Sequence, residues 1–335
     1  MKRLLRALVP GFAVMSLTAC GGGGSSGIDP LAAAPVANDL AQITSANAEA
    51  VASSVLKAAF EGGALGSFAG ISGGVGGGVT KSTPNTFAKV GQVQIDLTKP
   101  LLVDSQIGTL QVPIDPVQEN CLDRGYTITT GDLDNALTLT AGDTITVEYV
   151  TCSDGISEVN GIMSMTILSF AGDFVAGDIS FSVTASLSDF AVTEASVTST
   201  ANGVMTLGLT MPLAGALTMT IASENLSVTD GTTTESLADF DLTQTIDPIT
   251  GDFTLSVSGN VSSSEFTGSV DFATTGTFEG IGAGAAHLGQ LVITGDANAT
   301  ITVDVIDDQF VRLSIDLDGD EIFDEIVDLT WDALI

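Results

Sequence analysis

Nine consecutive residues near the C-terminus, Asp316-Leu317-Asp318-Gly319-Asp320-Glu321-Ile322-Phe323-Asp324, carry the densest chemistry in this chain. Carboxylates at the first, third, fifth and ninth positions around a glycine can converge their oxygens, which is what a hard cation with an all-oxygen shell requires. Asp316, Asp318, Asp320 and Asp324 are therefore candidate ligands of a Ca²⁺ ion. The competing reading is a β-hairpin whose Asp318-Gly319 is a two-residue turn between strands at Phe310 to Ile315 and Ile322 to Trp331, with the acids simply solvated. Twelve acidic residues between Asp296 and Asp332 draw cations to this region on either reading.

Other constellations are poorer. Gly70-Ile71-Ser72-Gly73-Gly74 matches G-x-S-x-G, yet a nucleophile elbow needs a strand before it and a helix after it, and here glycine surrounds the serine. The single histidine, His287, would have to serve as its base; beside Ala286 and Leu288 it reads instead as a surface or cap residue. Gly280-Ile281-Gly282-Ala283-Gly284-Ala285 matches G-x-G-x-x-A without a helix or βαβ unit to follow, and its acidic surroundings oppose a pyrophosphate, so it reads as a loop. No glycosidase pair stands out among 41 acids, and aromatics at 5% leave little for sugar stacking. No catalytic residue is assigned, and the chain is expected not to be an enzyme.

At the other end, Lys2, Arg3 and Arg6 precede an apolar run from Ala7 to Leu17, then Leu17-Thr18-Ala19-Cys20 and the tract Gly21 to Ser26. The run is too short to span a bilayer, and glycine follows it where a stop-transfer flank would stand. This pattern resembles the signal peptides and lipobox of bacterial lipoproteins. The resemblance implies that Cys20 receives acyl chains and becomes the mature N-terminus; three chains hold far more firmly than a single, marginal one. By the same resemblance to Gram-negative lipoproteins, Gly21 rather than Asp implies an outer-membrane anchor in the cell envelope, on its periplasmic or its surface side. A plain cleaved signal with a chance cysteine is the alternative.

All the acids lie after Cys20, where six basic residues face them for a net charge of −35. From Gly125 onward Arg312 is the single basic residue. Such a chain repels nucleic acid and anionic membrane faces and attracts divalent cations. With Cys20 lipidated, Cys121 and Cys152 remain as an even pair in an oxidising compartment and are expected to form a disulfide. The loop so closed is worth roughly 3 to 4 kcal/mol in the chain-entropy model. Use of the pair for metal or redox catalysis finds no CxxC spacing or neighbouring histidine.

The organisation expected is a signal peptide at 1–19, a lipidated flexible tether at 20–36, a helix at 37–61, a glycine-rich loop at 62–84 and a β domain at 85–335. Ala48, Val51, Val55 and Ala59 set the helical period over Asn38 to Phe60, with Gly62-Gly63 as the stop. Gly62, Gly66, Gly70, Gly74 and Gly78 fall at four-residue spacing. That is similar to the glycine-zipper segments of some outer-membrane-associated proteins; a glycine-rich loop is the other reading, since each glycine costs a helix up to about 1 kcal/mol.

Beyond Phe87 the period falls to two. Ile145, Val147 and Tyr149 alternate with hydroxyl or acidic residues, as do Phe181 to Ala185, Phe253 to Val257, Met163 to Ile167, Leu207 to Met211, Leu217 to Ile221, Ile301 to Val305 and Val311 to Ile315. Turn pairs at Asn160-Gly161, Asn202-Gly203, Asp230-Gly231, Asp247-Pro248, Gly251-Asp252 and Asp318-Gly319 separate them. The fold expected is all-β: about fifteen strands in a large antiparallel meander, either a curled sheet or open barrel or a two-sheet sandwich, with one N-terminal helix. One tryptophan and two tyrosines are too few for the aromatic girdles of a transmembrane barrel.

The acidic nonapeptide is similar to the D-x-D-G-D-G calcium loops of dockerin and thrombospondin type 3 repeats, except that Glu321 stands in place of glycine and Val327 in place of the twelfth-position acid. From Gly289 to Leu334 the chain resembles the end of a group of uncharacterised Gram-negative lipoproteins. Upstream, Cys121, Ala141-Gly142-Asp143-Thr144, Cys152 and Asn160-Gly161 continue that likeness, which implies no activity. The function expected is that of a non-catalytic structural or interaction module that requires no cofactor beyond a candidate Ca²⁺, held to the membrane by acyl chains and binding an unidentified protein partner. The alternative is a carrier of a lipid-like ligand lined by Met163, Met165, Met205, Met211 and Met219.

Overall fold

In the computed structural model the residues described are 39–64, 114–133, 140–173, 178–194, 196–281 and 285–335. Cys20, the tether, most of the glycine-rich segment and the Ser72 motif lie outside them. A helix, α1 (Ala48–Ala64), precedes fourteen strands: β1 (Ile114–Asn120), β2 (Arg124–Asp132), β3 (Thr144–Ser153), β4 (Ser157–Asp173), β5 (Asp178–Glu194), β6 (Val197–Met211), β7 (Leu217–Asp230), β8 (Thr233–Ile246), β9 (Asp252–Ser263), β10 (Ser269–Ile281), β11 (Ala286–Thr294), β12 (Thr300–Val305), β13 (Phe310–Asp316) and β14 (Glu325–Thr330). A single helical turn, α2 (Trp331–Leu334), ends the chain. The strands form one antiparallel sheet in strict sequence order, an open meander rather than a closed barrel or two separate sheets.

The two-residue period builds the core directly. Across the sheet, Phe181, Leu209, Met219, Gln244, Leu255 and Phe278 stand in register on one face, and Val183, Leu207, Ile221, Leu242 and Val257 form the next row. These side chains are buried, and all but Gln244 belong to one continuous apolar cluster that extends to Val311, Leu313 and Trp331. The opposite face carries Ser and Thr that bond across strands, such as Thr146 to Ser164 at 2.8 Å and Thr184 to Thr206 at 3.0 Å. Cross-strand hydroxyl pairs of this kind add a few tenths of a kcal/mol each, to roughly 1 kcal/mol, so the apolar face dominates stability.

α1 lies on the apolar side. Val51, Ala52, Val55, Leu56 and Ala59 are fully buried, Phe60 meets Phe278 and Trp331 edge-on with ring centroids at 5.2 Å, and the Ser53 hydroxyl donates to the Leu334 carbonyl at 2.5 Å. The helix starts ten residues later than its alanine-rich composition suggested. Before it, Leu40 bridges Ser269, and a turn at Thr44 closes as Asn47 Oδ1 accepts the Thr44 N–H at 2.8 Å. Gly62 and Gly63, expected to stop the helix, fall inside its last turn.

Two expected turns are not turns. Asn160-Gly161 lies within the 17-residue β4 and Asn202-Gly203 within the 15-residue β6. Both sit beside bulges. Thr151 and Asp189 take φ of 47° and 48°, and the N–H groups they turn out of the ladder are accepted by Asn160 Oδ1 and Asn202 Oδ1, each at 2.7 Å. Gly161, at φ 102°, leaves room for the Asp189 carbonyl, into which any β-carbon would run. The expected pairs at Asp230-Gly231 and between Asp247 and Asp252 do join successive strands.

The expected disulfide is present. Cys121, just after β1, bonds Cys152 in β3 with Cα atoms 5.4 Å apart, within the normal range.

Candidate functional site

The acidic segment is more than a two-residue turn. Eight residues, Leu317 to Asp324, separate β13 from β14, and Ile322 lies in this loop rather than in a strand. Asp316 organises it from the last position of β13. Its Oδ1 accepts the N–H groups of Asp318 (3.2 Å) and Gly319 (2.8 Å), and its Oδ2 accepts that of Glu321 (2.8 Å). The loop is closed at its far end by Asp324, whose Oδ2 accepts the Leu317 N–H at 2.8 Å and whose own N–H reaches the Ile315 carbonyl at 2.8 Å. Gly319 and Glu321 take φ of 73° and 68°, and Gly319 lies against the backbone of Ala297 and Asn298 in the turn between β11 and β12, where a β-carbon would clash.

Asp316 is buried, and burial opposes its charge; main-chain N–H bonds from Glu321, Gly319, Asp318 and Asp320 outweigh that opposition and hold its carboxyl below the ordinary aspartate value. It is therefore a fixed anion at neutral pH. Asp316, Asp318 and Asp324 each bring one carboxylate oxygen within 4.8 Å of the others. Asp320 is not of this group; its Oδ1 accepts the Ile322 N–H at 2.8 Å. Three carboxylates of the four-residue expectation thus converge, and the fourth braces the loop.

This donor set suits a hard cation. It is all oxygen and triply anionic, and two of its members are exposed where water and loop carbonyls could complete a shell of six to eight ligands. The anchoring role of Asp316 was not read from the sequence. Its signal is the Asx pattern, an aspartate followed by residues that need their N–H groups accepted, which recurs at Asp154, Asp247 and Asp307.

The remaining candidates disperse. His287 is exposed on β11, and Gly280 is the penultimate residue of β10, with Gly282 and Gly284 outside the described residues. Asp143, in the Ala141-Gly142-Asp143-Thr144 motif, is buried and accepts the Thr140 N–H at 2.7 Å, which closes the turn into β3. Met163, Met165, Met205 and Met219 are buried and Met211 is half-buried against the same cluster. Gln244 went unnoticed: it is buried on the apolar face, and its Oε1 has no hydrogen-bond partner among the described residues. No described helix is long and apolar enough to cross a membrane.

Comparison with protein-family models, with curated proteins and with solved structures yielded no match for this chain.

Proposed function

We propose that this chain is a lipid-anchored cell-envelope protein, tethered by acyl chains on Cys20, that acts as a non-catalytic structural or interaction module with a Ca²⁺-stabilised C-terminal loop. The observation that carries the reading is the convergence of Asp316, Asp318 and Asp324 in a loop whose deepest carboxylate is pinned by backbone N–H groups. Pinning holds the loop in one conformation, so a cation meets preorganised oxygens, and any cation that binds only the folded chain raises its stability. The signal-like N-terminus and the net charge of −32 support an anchored envelope protein that binds no nucleic acid.

The test is thermal unfolding of the full chain in Ca²⁺ and in EDTA. Ca²⁺ is expected to raise Tm by several degrees, and Asp318→Asn or Asp324→Asn to abolish the increment while leaving the EDTA value nearly unchanged. Equal Tm in both buffers removes the cation from the proposal. Intact-mass measurement of the full chain against Cys20→Ala tests the anchor: acyl mass absent from both removes that part.

One observation favours a second reading, a carrier for a lipid-like ligand. An unpartnered amide oxygen buried among apolar side chains costs about 1 to 3 kcal/mol, and the hydroxyl or amide of an amphipathic ligand would relieve Gln244 of it. Native mass spectrometry decides: lipid retained by the wild type and lost in Gln244→Leu supports the carrier, and a bare chain in both sinks it.

A further inference from the structure

Among the described residues the sheet ends at two edge strands, β1 and β14, and they are built differently. β1 carries Pro116, slips register between Ile114 and Val117, and is tied to β3 by the disulfide next to it. Proline and bulges are devices that stop an edge from accepting another strand. β14 has neither. Its six residues keep unbroken register against β13, from Phe310 opposite Thr330 to Ile315 opposite Glu325, and they include no proline or lysine.

The bond from the Trp331 N–H to the Gln309 carbonyl, 3.1 Å, sets the phase of this pair. Antiparallel bonds alternate, so Glu325, Val327 and Leu329 turn their main-chain groups toward β13, while Ile326, Asp328 and Thr330 turn theirs outward. Among the described residues no strand meets those groups. Ile326 is 58% exposed, close in sequence to Ile322 and Phe323 at 68% and 47%, which leaves apolar surface beside the open edge.

We infer that β14 is a docking edge for an extended, basic segment of a partner protein, which adds to the sheet as a further strand. Charge selects that occupant. Between Asp296 and Asp332 twelve acids face Arg312 alone, and its Nε and Nη2 already donate to the two carboxylate oxygens of Asp328, at 2.7 and 2.9 Å. A second copy pairing β14 antiparallel to β14 about Asp328, the middle one of the three outward residues, would set the two Asp328 side chains opposite one another, and like charges across strands repel. A segment that alternates Lys or Arg with apolar residues supplies main-chain bonds to the outward groups, cover for Ile326 and countercharge for the acids. The inference names the partner class of the interaction module and takes its purpose from that reading. The edge does not depend on a cation at Asp316, so the two fail separately.

The probe is a synthetic peptide of alternating lysine and valine, about six residues long to match β14, titrated against the full chain with hydrogen exchange followed at residues 325–330. The expected result is salt-sensitive binding that slows exchange there. Binding should weaken by roughly tenfold or more when alternate backbone nitrogens of the peptide are methylated, and equally in Ile326→Pro, which removes an outward N–H that β13 does not use. Should that proline unfold the edge, Ile326→Lys keeps the backbone and repels the peptide. Equal binding of the methylated peptide would mean adsorption to an acidic surface and would overturn the proposal. So would unchanged exchange at β14, or protection that appears without peptide and grows with protein concentration, which would mean self-pairing.

Discussion

The two ends of the open sheet use the same parts to different effect. Each has an arginine paired with a carboxylate, Arg124 with Glu158 and Arg312 with Asp328, and each has a turn led by an aspartate, Asp154 or Asp316. At the first end a disulfide fastens β1 to β3 and the aspartate is exposed. At the second no covalent link is present among the described residues, and the aspartate is buried with two further carboxylates beside it. One end is fixed by a bond that charge and pH do not touch. The other is held by an anion whose environment sets its strength, and among the described residues it is the end that carries a converging group of carboxylates.

The largest test of this contrast is removal of the bond. Cys121→Ser with Cys152→Ser should lower unfolding free energy by about 3 to 4 kcal/mol, as chain entropy assigns to a separation of 31 residues. Denaturant titration measures it, and the loss should be the same with and without Ca²⁺. A loss that Ca²⁺ restores would show the two ends to be coupled.

Next comes Asp316→Ala, which leaves the N–H groups of Asp318, Gly319 and Glu321 without their acceptor. It is expected to lower Tm by several degrees, against about one degree for Asp154→Ala at the exposed turn. Equal shifts would mean that burial adds nothing to the Asp316 anchor.

Acid gives a smaller, graded effect. Asp316 and Asp154 both titrate below the usual value of 3.8; for Asp154 the chief cause is the Ser157 N–H, then that of Ile156. A depressed folded-state pKa contributes stability that is complete above the unfolded value and disappears as pH falls through the folded one. Stability should therefore be flat from neutrality down to about 5 and fall below about 3.8, with the fall shallower in Asp316→Asn. Denaturant midpoints at several pH values check the slope. Smallest of all, Arg312→Gln and Arg124→Gln should each move Tm by about a degree or less, because exposed pairs are screened by water and salt.

Much of the sheet was legible because alternation is a direct record of one buried face. From Phe181 to Ala185 or Phe253 to Val257 nothing competes with that record. Where the reading went astray, one local chemistry served two purposes. Asn-Gly offers a side-chain acceptor and a positive φ, which a hairpin turn needs and a bulge needs too; only the partner strand, with Thr151 or Asp189 turned out of line, separates the two. The start of α1 was hidden in the same way, since the sequence from Asn38 to Asn47 has helical composition while the backbone at Asp39 and Ala41 is bonded to Ser269, more than two hundred residues away. At the acidic loop, residue types pointed to four carboxylates, of which Asp316, Asp318 and Asp324 converge, but Asp320 and Asp318 are indistinguishable by type. Which of them turns inward depends on the φ values at Gly319 and Glu321.

The strand order carries a consequence for how the molecule assembles. Every strand pairs with its neighbour in sequence, so each ladder forms across a short connection and the ordering entropy is met in small steps. A chain with such low contact order can zip from any hairpin outward, and loss of a terminal strand leaves the remaining ladders intact. The exceptions are the contacts of α1 and the segment before it: Leu40 bridges Ser269, Phe60 meets Phe278, and the clasp between Ser53 of α1 and Leu334 of α2 spans 281 residues. That clasp waits until the whole sheet exists, which makes the docking of α1 on the C-terminal turn the natural last event of folding and the first place where the structure opens.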